Sequence, residues 1–156
     1  MNSLSRYFRL PSKKLRYILC FLFGLISSST SASTVFWYED ARGFEAALSQ
    51  AQRKDKPLVV YFKTDWCKYC KKFESEYLTE FEIDLVLSRQ YRVKLNPEHG
   101  AEEQKIADHF AITGYPYFIV IHPDREQATK ISPLRKGKDW SVDKFKQALL
   151  AAFEGN

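Results

Sequence analysis

The feature that most constrains this chain is a dithiol set just after a buried strand. Leu58-Val59-Val60-Tyr61-Phe62 is a continuous apolar run, and Trp66-Cys67-Lys68-Tyr69-Cys70 follows after three intervening residues. An unbroken β-prone run suits a strand covered on both faces, which requires helices on either side of a sheet. Two cysteines separated by two residues, where such a strand gives way to a helix, can close into a disulfide and reopen. The free N–H groups and dipole of a helix start favour negative charge. Cys67 is therefore expected at the exposed first turn, with a depressed pKa, reacting as thiolate. Cys70, one turn later, faces the same site. The pattern points to thiol–disulfide exchange.

The net charge of +5 invites a search for a nucleic-acid or membrane surface. Its distribution removes that reading. Five basic side chains (Arg6, Arg9, Lys13, Lys14, Arg16) and no acidic ones lie in residues 1 to 33, and the remainder of the chain is neutral overall. No nucleic-acid partner is expected. The N-terminal stretch instead reads as a secretory signal: a basic segment to Arg16, an apolar segment from Tyr17 to Ile26, then a small polar run with cleavage-type spacing at Thr30 and Ala32 or Ser31 and Ser33. The apolar segment is about half the ~20 residues a spanning helix needs. The alternative is an uncleaved anchor that tethers the domain. The division expected is a cleavable signal over 1–33 and one domain over 34–156, exported, in a bacterium to the periplasm.

Removing the signal removes Cys20, which leaves only Cys67 and Cys70. Their bridge closes almost no loop and adds little entropic stabilisation, so chemistry explains it better than stapling. Half of a zinc site is the competing reading. Structural zinc takes four ligands, and His99, His109 and His122 show no paired spacing, so no metal is expected. Lys71 stands where haem attachment through CxxCH requires histidine.

The chain shows no internal repeat and no linker between domains. Val35 to Tyr38 is read as a first strand. Asp40 precedes a helix to about Lys54, with Phe44, Ala47, Leu48 and Ala51 on one face. After the strand at 58–62, one helix is expected over about 67–77. Thr79-Glu80-Phe81-Glu82 reads as a capping box, with Leu78 and Ile83 as a hydrophobic staple, opening a helix to about Arg89. A strand at 91–95, a helix at 101–110, a strand at 117–121 and a returning strand at 128–131 follow. Ser141 caps a last helix with Val142, Phe145, Leu149 and Phe153 on one side. The basic cluster Arg135, Lys136 and Lys138 around Gly137 reads as a solvated turn. The order describes an α/β domain: a mixed central sheet with helices on both faces.

This order, the Trp-Cys-x-x-Cys after the second strand, and Gly114-Tyr115-Pro116 before the fourth resemble the thioredoxin superfamily over roughly residues 35 to 154. In detail the segment Tyr61 to Glu74 is similar to exported thioredoxin-like domains, including the C-terminal domain of DsbD-type disulfide reductases. The resemblance implies a thioredoxin fold with Cys67 as nucleophile and Cys70 as resolving thiol. It also implies a cis-proline at Pro116, with the Tyr115 backbone pairing to an extended substrate strand. The other reading of Pro116 is an ordinary trans-proline opening a strand. Trp66 is expected to flank the site with an aromatic face, or else to pack in the core.

Glu74 lies four residues after Cys70 on the same helix face. A carboxylate there can shuttle protons for Cys70, as the DsbD-type glutamate at this position implies; the other reading is a solvated residue paired with Lys71 or Lys72. One departure stands out. The family's acidic residue six positions before the first cysteine is replaced by Tyr61. Lys94 resembles the lysine that pairs with the missing acid and is expected to reach Glu74 instead. Lys68 and Tyr69 tune the dithiol, Lys68 as a cation beside the Cys67 thiolate.

The reading is an exported thiol–disulfide oxidoreductase working in the reducing direction, monomeric and without a bound cofactor. Its partners are a protein with a disulfide or thiols and a membrane or soluble thiol electron donor. An oxidant or isomerase is the alternative direction. A non-catalytic client-binding module of the same fold is the rival of another class.

Overall fold

The computed structural model describes residues 36–124, 128–134 and 139–155. The leader with Cys20 and the cluster Arg135, Lys136 and Lys138 lie outside the described residues, as does the start of the expected first strand. The elements are β1 (Tyr38–Glu39), α1 (Asp40–Arg53), β2 (Leu58–Phe62), α2 (Lys68–Phe73), α3 (Phe81–Leu87), β3 (Tyr91–Leu95), α4 (Ala101–His109), β4 (Tyr117–Ile121), β5 (Thr129–Ile131) and α5 (Val142–Glu154). The strands form one sheet in the order β1-β3-β2-β4-β5. β2 lies at its centre, parallel to β3 and antiparallel to β4, so Val60 sits between Val93 and Ile119.

All five residues of β2 are buried because the strand feeds two cores. Leu58, Val60 and Phe62 point to one side, where Ala47 and Ala51 of α1 and Ala107 of α4 meet them. Val59 and Tyr61 point to the other, against Phe73, Tyr77, Ile83, Leu87, Phe145 and Leu149 from α2, the turn that follows it, α3 and α5. The alternation of a strand thus turns one apolar run into both faces of a three-layer domain. On the second face the rings of Tyr61, Phe73, Phe118 and Phe145 pack with centroids 5.3–5.7 Å apart. That face carries the dithiol helix.

Three local expectations give way to the structure. The helix after the dithiol is not uniform: α2 passes at Phe73 into a π-helical turn over Glu74–Leu78. Within that stretch Ser75 and Thr79 hydroxyls donate to the carbonyls of Lys72 and Ser75, and Tyr77 stacks on Phe73 and donates to the Trp140 carbonyl at 2.5 Å. The capping box does not form. Thr79 still has helical backbone angles, which exclude the extended N-cap conformation, and Glu80 caps α3 without a side-chain bond. Glu82 is drawn instead to Lys146 of α5. The helix start at Asp40 is also unusual: Asp40 has φ 62° and its carboxylate accepts from the Gly43 N–H at 2.9 Å, a left-handed position that aspartate tolerates. Ser141 caps α5 by accepting from Lys144 N–H, and Phe145 and Leu149 are fully buried beneath it.

Candidate active site

Cys67 and Cys70 are joined by a disulfide with Cα atoms 5.2 Å apart, within the usual range for a bridge. Cys67 is the N-cap of α2, and its Sγ accepts from the Cys70 N–H at 3.0 Å. Negative charge developing on that sulfur therefore meets a backbone donor and a helix start, both of which favour thiolate. The first cysteine is not exposed, contrary to expectation: Cys67 is 3 % and Cys70 1 % accessible. The Thr64 carbonyl accepts from the Cys67 N–H at 3.2 Å, closing a tight turn before the helix.

The residues around the pair are, by contrast, open. Trp66 is 68 % and Tyr69 60 % exposed, so Trp66 is not a core residue. Its indole N–H donates to the Glu98 carboxylate, 2.9 Å from both oxygens. Its ring meets Tyr115 edge to face at 6.4 Å. The Tyr115–Pro116 peptide is cis. Burial and the nearby Glu98 and Asp108 charges push the Tyr115 phenol pKa up. Lys68 is exposed beside the dithiol.

The underside of the dithiol differs from the expected pairing. Glu74 is bound by Lys63, which leaves the end of β2, at 2.5 Å. Lys94 is directly beside Tyr61 in the β2–β3 register, but its ammonium sits over the Trp37 ring at 5.2 Å. Arg92, two residues earlier, lies over the same ring at 5.1 Å. The cation–π arrangement keeps Lys94 at the indole. Burial lowers the Lys94 pKa, and the Glu74 charge only partly opposes it. Tyr61 is completely buried. Its hydroxyl donates to the Cys70 carbonyl through a long 3.4 Å contact. Burial foremost, then the charge and hydrogen bonding of Glu74, push this phenol far above its ordinary pKa. Tyr61 is therefore a permanent donor and cannot serve as the base that an acidic residue there would be.

Sequence reasoning missed Lys63 and Glu98. Strand alternation carried a signal for the first: residues 59, 61 and 63 fall on one side of β2 and its extension, the side of the dithiol helix. Nothing in the local pattern marked Glu98. Among the described residues no group of three or more His, Cys, Asp or Glu side chains is arranged to hold a metal.

The thioredoxin-like family model matches residues 37–123, more than half of the chain. The chain belongs to the thioredoxin-like family. No curated protein matches the sequence closely enough to count as a relative. Among solved structures, the oxidised C-terminal domain of DsbD from Neisseria meningitidis is 22 % identical, with a TM-score of 0.60 over 75 % of this chain and 99 % of that one. A thioredoxin from Thermus thermophilus is 21 % identical, TM-score 0.58, over 73 % and 83 %. A disulphide isomerase from Xylella fastidiosa is 19 % identical, TM-score 0.54, over 70 % and 87 %. At these identities the likeness is one of fold. The dithiol on this thioredoxin-like scaffold makes the chain a thiol–disulfide oxidoreductase.

Proposed function

We propose that this chain is an exported thioredoxin-like reductase, with Cys67 as nucleophile and Cys70 as resolving thiol. The observation that carries the direction is Glu74, one turn past Cys70 on the dithiol helix. A strong thiol oxidant is one whose reduced, thiolate form is stabilised. A carboxylate beneath the pair opposes that accumulation of negative charge and favours a reducing dithiol. The likeness to a DsbD C-terminal domain over nearly the whole of that domain agrees with this reading.

In the forward reaction the Cys67 thiolate attacks one sulfur of a client disulfide and expels the other as thiolate, leaving a mixed disulfide. The Cys70 thiol loses its proton to Glu74, and its thiolate attacks the Cys67 sulfur. The client leaves fully reduced and the Cys67–Cys70 disulfide remains. A thiol donor then returns the two electrons. The exposed Trp66 ring and the Tyr115–Pro116 backbone form the rim on which an extended client segment lies. Lys68 and Tyr69 tune the dithiol from the solvent side. The reading of residues 1 to 33 as a signal places the domain outside the cytoplasm, and among the described residues no helix is long and apolar enough to cross a membrane.

Equilibrating the protein against dithiothreitol or glutathione buffers, with thiol alkylation as readout, tests the direction. A potential near about −250 mV or lower is expected; one near about −120 mV, the oxidant end of the scale, overturns it.

A further inference from the structure

Glu74 lies one turn beyond Cys70 on the dithiol helix but is not solvated alone. Lys63 reaches it at 2.5 Å, and both side chains are about a quarter exposed. Lys63 is fixed at its backbone, where its N–H donates to the Leu95 carbonyl at 2.9 Å. It lines a cleft of about 380 Å³ with Glu39, Asp65, Lys94, Asn96 and His99. Besides Lys63, the groups coupled to Glu74 are the Tyr61 phenol on β2 and Lys94 on β3, and Lys94 in turn feels Lys63, Glu39 of β1 and Arg92 of β3. Arg92 is already bound to Asp84 and Trp37. Asp65, in the same cleft as Lys63, is engaged by His99 at 2.9 Å. On Glu74's own helix, Lys72 is taken by Glu76 and Asp139. Lys63 is thus the cation whose ammonium contacts the Glu74 carboxylate.

We propose that Lys63 is a positioning residue for the exchange reaction: it holds the Glu74 carboxylate beneath Cys70 and offsets its charge, the part from which Trp37 withdraws Lys94. The inference rests on the reading of Glu74 as the proton acceptor for Cys70. When Cys70 is called on to resolve a mixed disulfide, its S–H proton passes to the Glu74 carboxylate. The new Cys70 thiolate forms a bond to the Cys67 sulfur as the Cys67–client bond breaks, and the client sulfur leaves with the electron pair of that bond. Glu74 then returns the proton to the client thiolate or to solvent in the cleft. No other oxidant or reductant enters. The Lys63 ammonium keeps its own protons throughout and acts through its charge and its grip on the carboxylate.

The sign of its effect is fixed. A carboxylate raises the titration of a neighbouring thiol, and a cation held on that carboxylate limits the rise. Removing the cation therefore moves the Cys70 titration up, and removing the carboxylate moves it down.

The test is the titration of the Cys70 thiol in the reduced full-length protein, with Cys20→Ser so that only the dithiol reports, followed by the carbon-13 shift of Cys70 Cβ against pH. Lys63→Met is expected to raise the midpoint by about half a pH unit, the scale of a partly exposed ion pair. Lys63→Arg restores it, and Lys94→Met moves it less than Lys63→Met does. Glu74→Gln lowers it. If Glu74→Gln leaves the midpoint in place, the assignment of Glu74 fails and this inference with it. If Glu74→Gln lowers the midpoint while Lys63→Met matches the parent, the role of Lys63 alone is refuted. If Lys63→Met does not fold, Lys63→Gln carries the same expectation.

Discussion

Lys63 and Glu74 meet at 2.5 Å although one leaves the central strand and the other lies a turn beyond the second cysteine. Their contact ties the loop before the dithiol to the helix after it. Together with the buried Tyr61 hydroxyl, which donates to the Cys70 carbonyl, it places one carboxylate, one cation and one permanent donor around the dithiol helix.

Cys67→Ser is expected to abolish insulin reduction, because the only sulfur capped by the helix start is lost. Cys70→Ser is expected to accumulate a mixed disulfide with the client, visible as a higher-mass band on a non-reducing gel. No insulin reduction in the parent, with client binding retained when both cysteines are serine, would favour the binding-module reading.

Trp66→Ala is expected to leave folding stability within about 0.5 kcal/mol of the parent, as suits a residue 68 % exposed. Its effect belongs to the client. The KM for a protein disulfide should rise while the rate with a small aromatic disulfide changes little. A parallel fall in both would move Trp66 from docking to chemistry.

Tyr61→Phe removes one long hydrogen bond, so its cost near pH 7 is expected at about 0.5 kcal/mol. The pH dependence is more telling. Because the folded pKa of Tyr61 lies above the unfolded value of 10.0, the phenol's contribution to stability is present below pH 10 and is lost as pH rises toward the folded value. The parent should lose about 1.4 kcal/mol per pH unit above pH 10 from this residue. Urea unfolding of parent and Tyr61→Phe at pH 9 and pH 11 reads it: the gap between them must shift in favour of the variant.

Phe73→Ala empties the centre of the aromatic cluster on which α2 rests. A loss of about 3–5 kcal/mol in unfolding free energy is expected. A loss under about 1 kcal/mol would mean the cluster closes over the gap and the dithiol helix does not depend on it.

The fold was largely legible because its strongest signals are periodic. The unbroken apolar run 58–62 announces a doubly buried strand, and α5 shows its cap and its apolar stripe in sequence. The failures are where tertiary contacts override local pattern. Thr79 and Glu82 make a good capping box on paper, yet the helix before them runs on through Leu78 and Lys146 claims the glutamate. Lys94 resembles a lysine whose acidic partner is replaced by Tyr61, and from sequence it is expected to reach Glu74 instead, but an indole from the chain's first strand region holds it. The burial of Cys67 is a tertiary effect: it joins the cluster of Tyr61, Phe73 and Phe118, which no spacing rule encodes.

The division of β2 between two cores also has an engineering meaning. Val60 and Phe62 pack toward α1 and α4, while Val59 and Tyr61 pack toward the redox helix. The sheet is in effect a bulkhead. One compartment can be recoloured with other aliphatic side chains, for marginal gains in heat tolerance or new surface contacts, while the sulfur chemistry in the other keeps its setting. Swapping neighbours one residue apart along the same strand would then land in different rooms of the molecule.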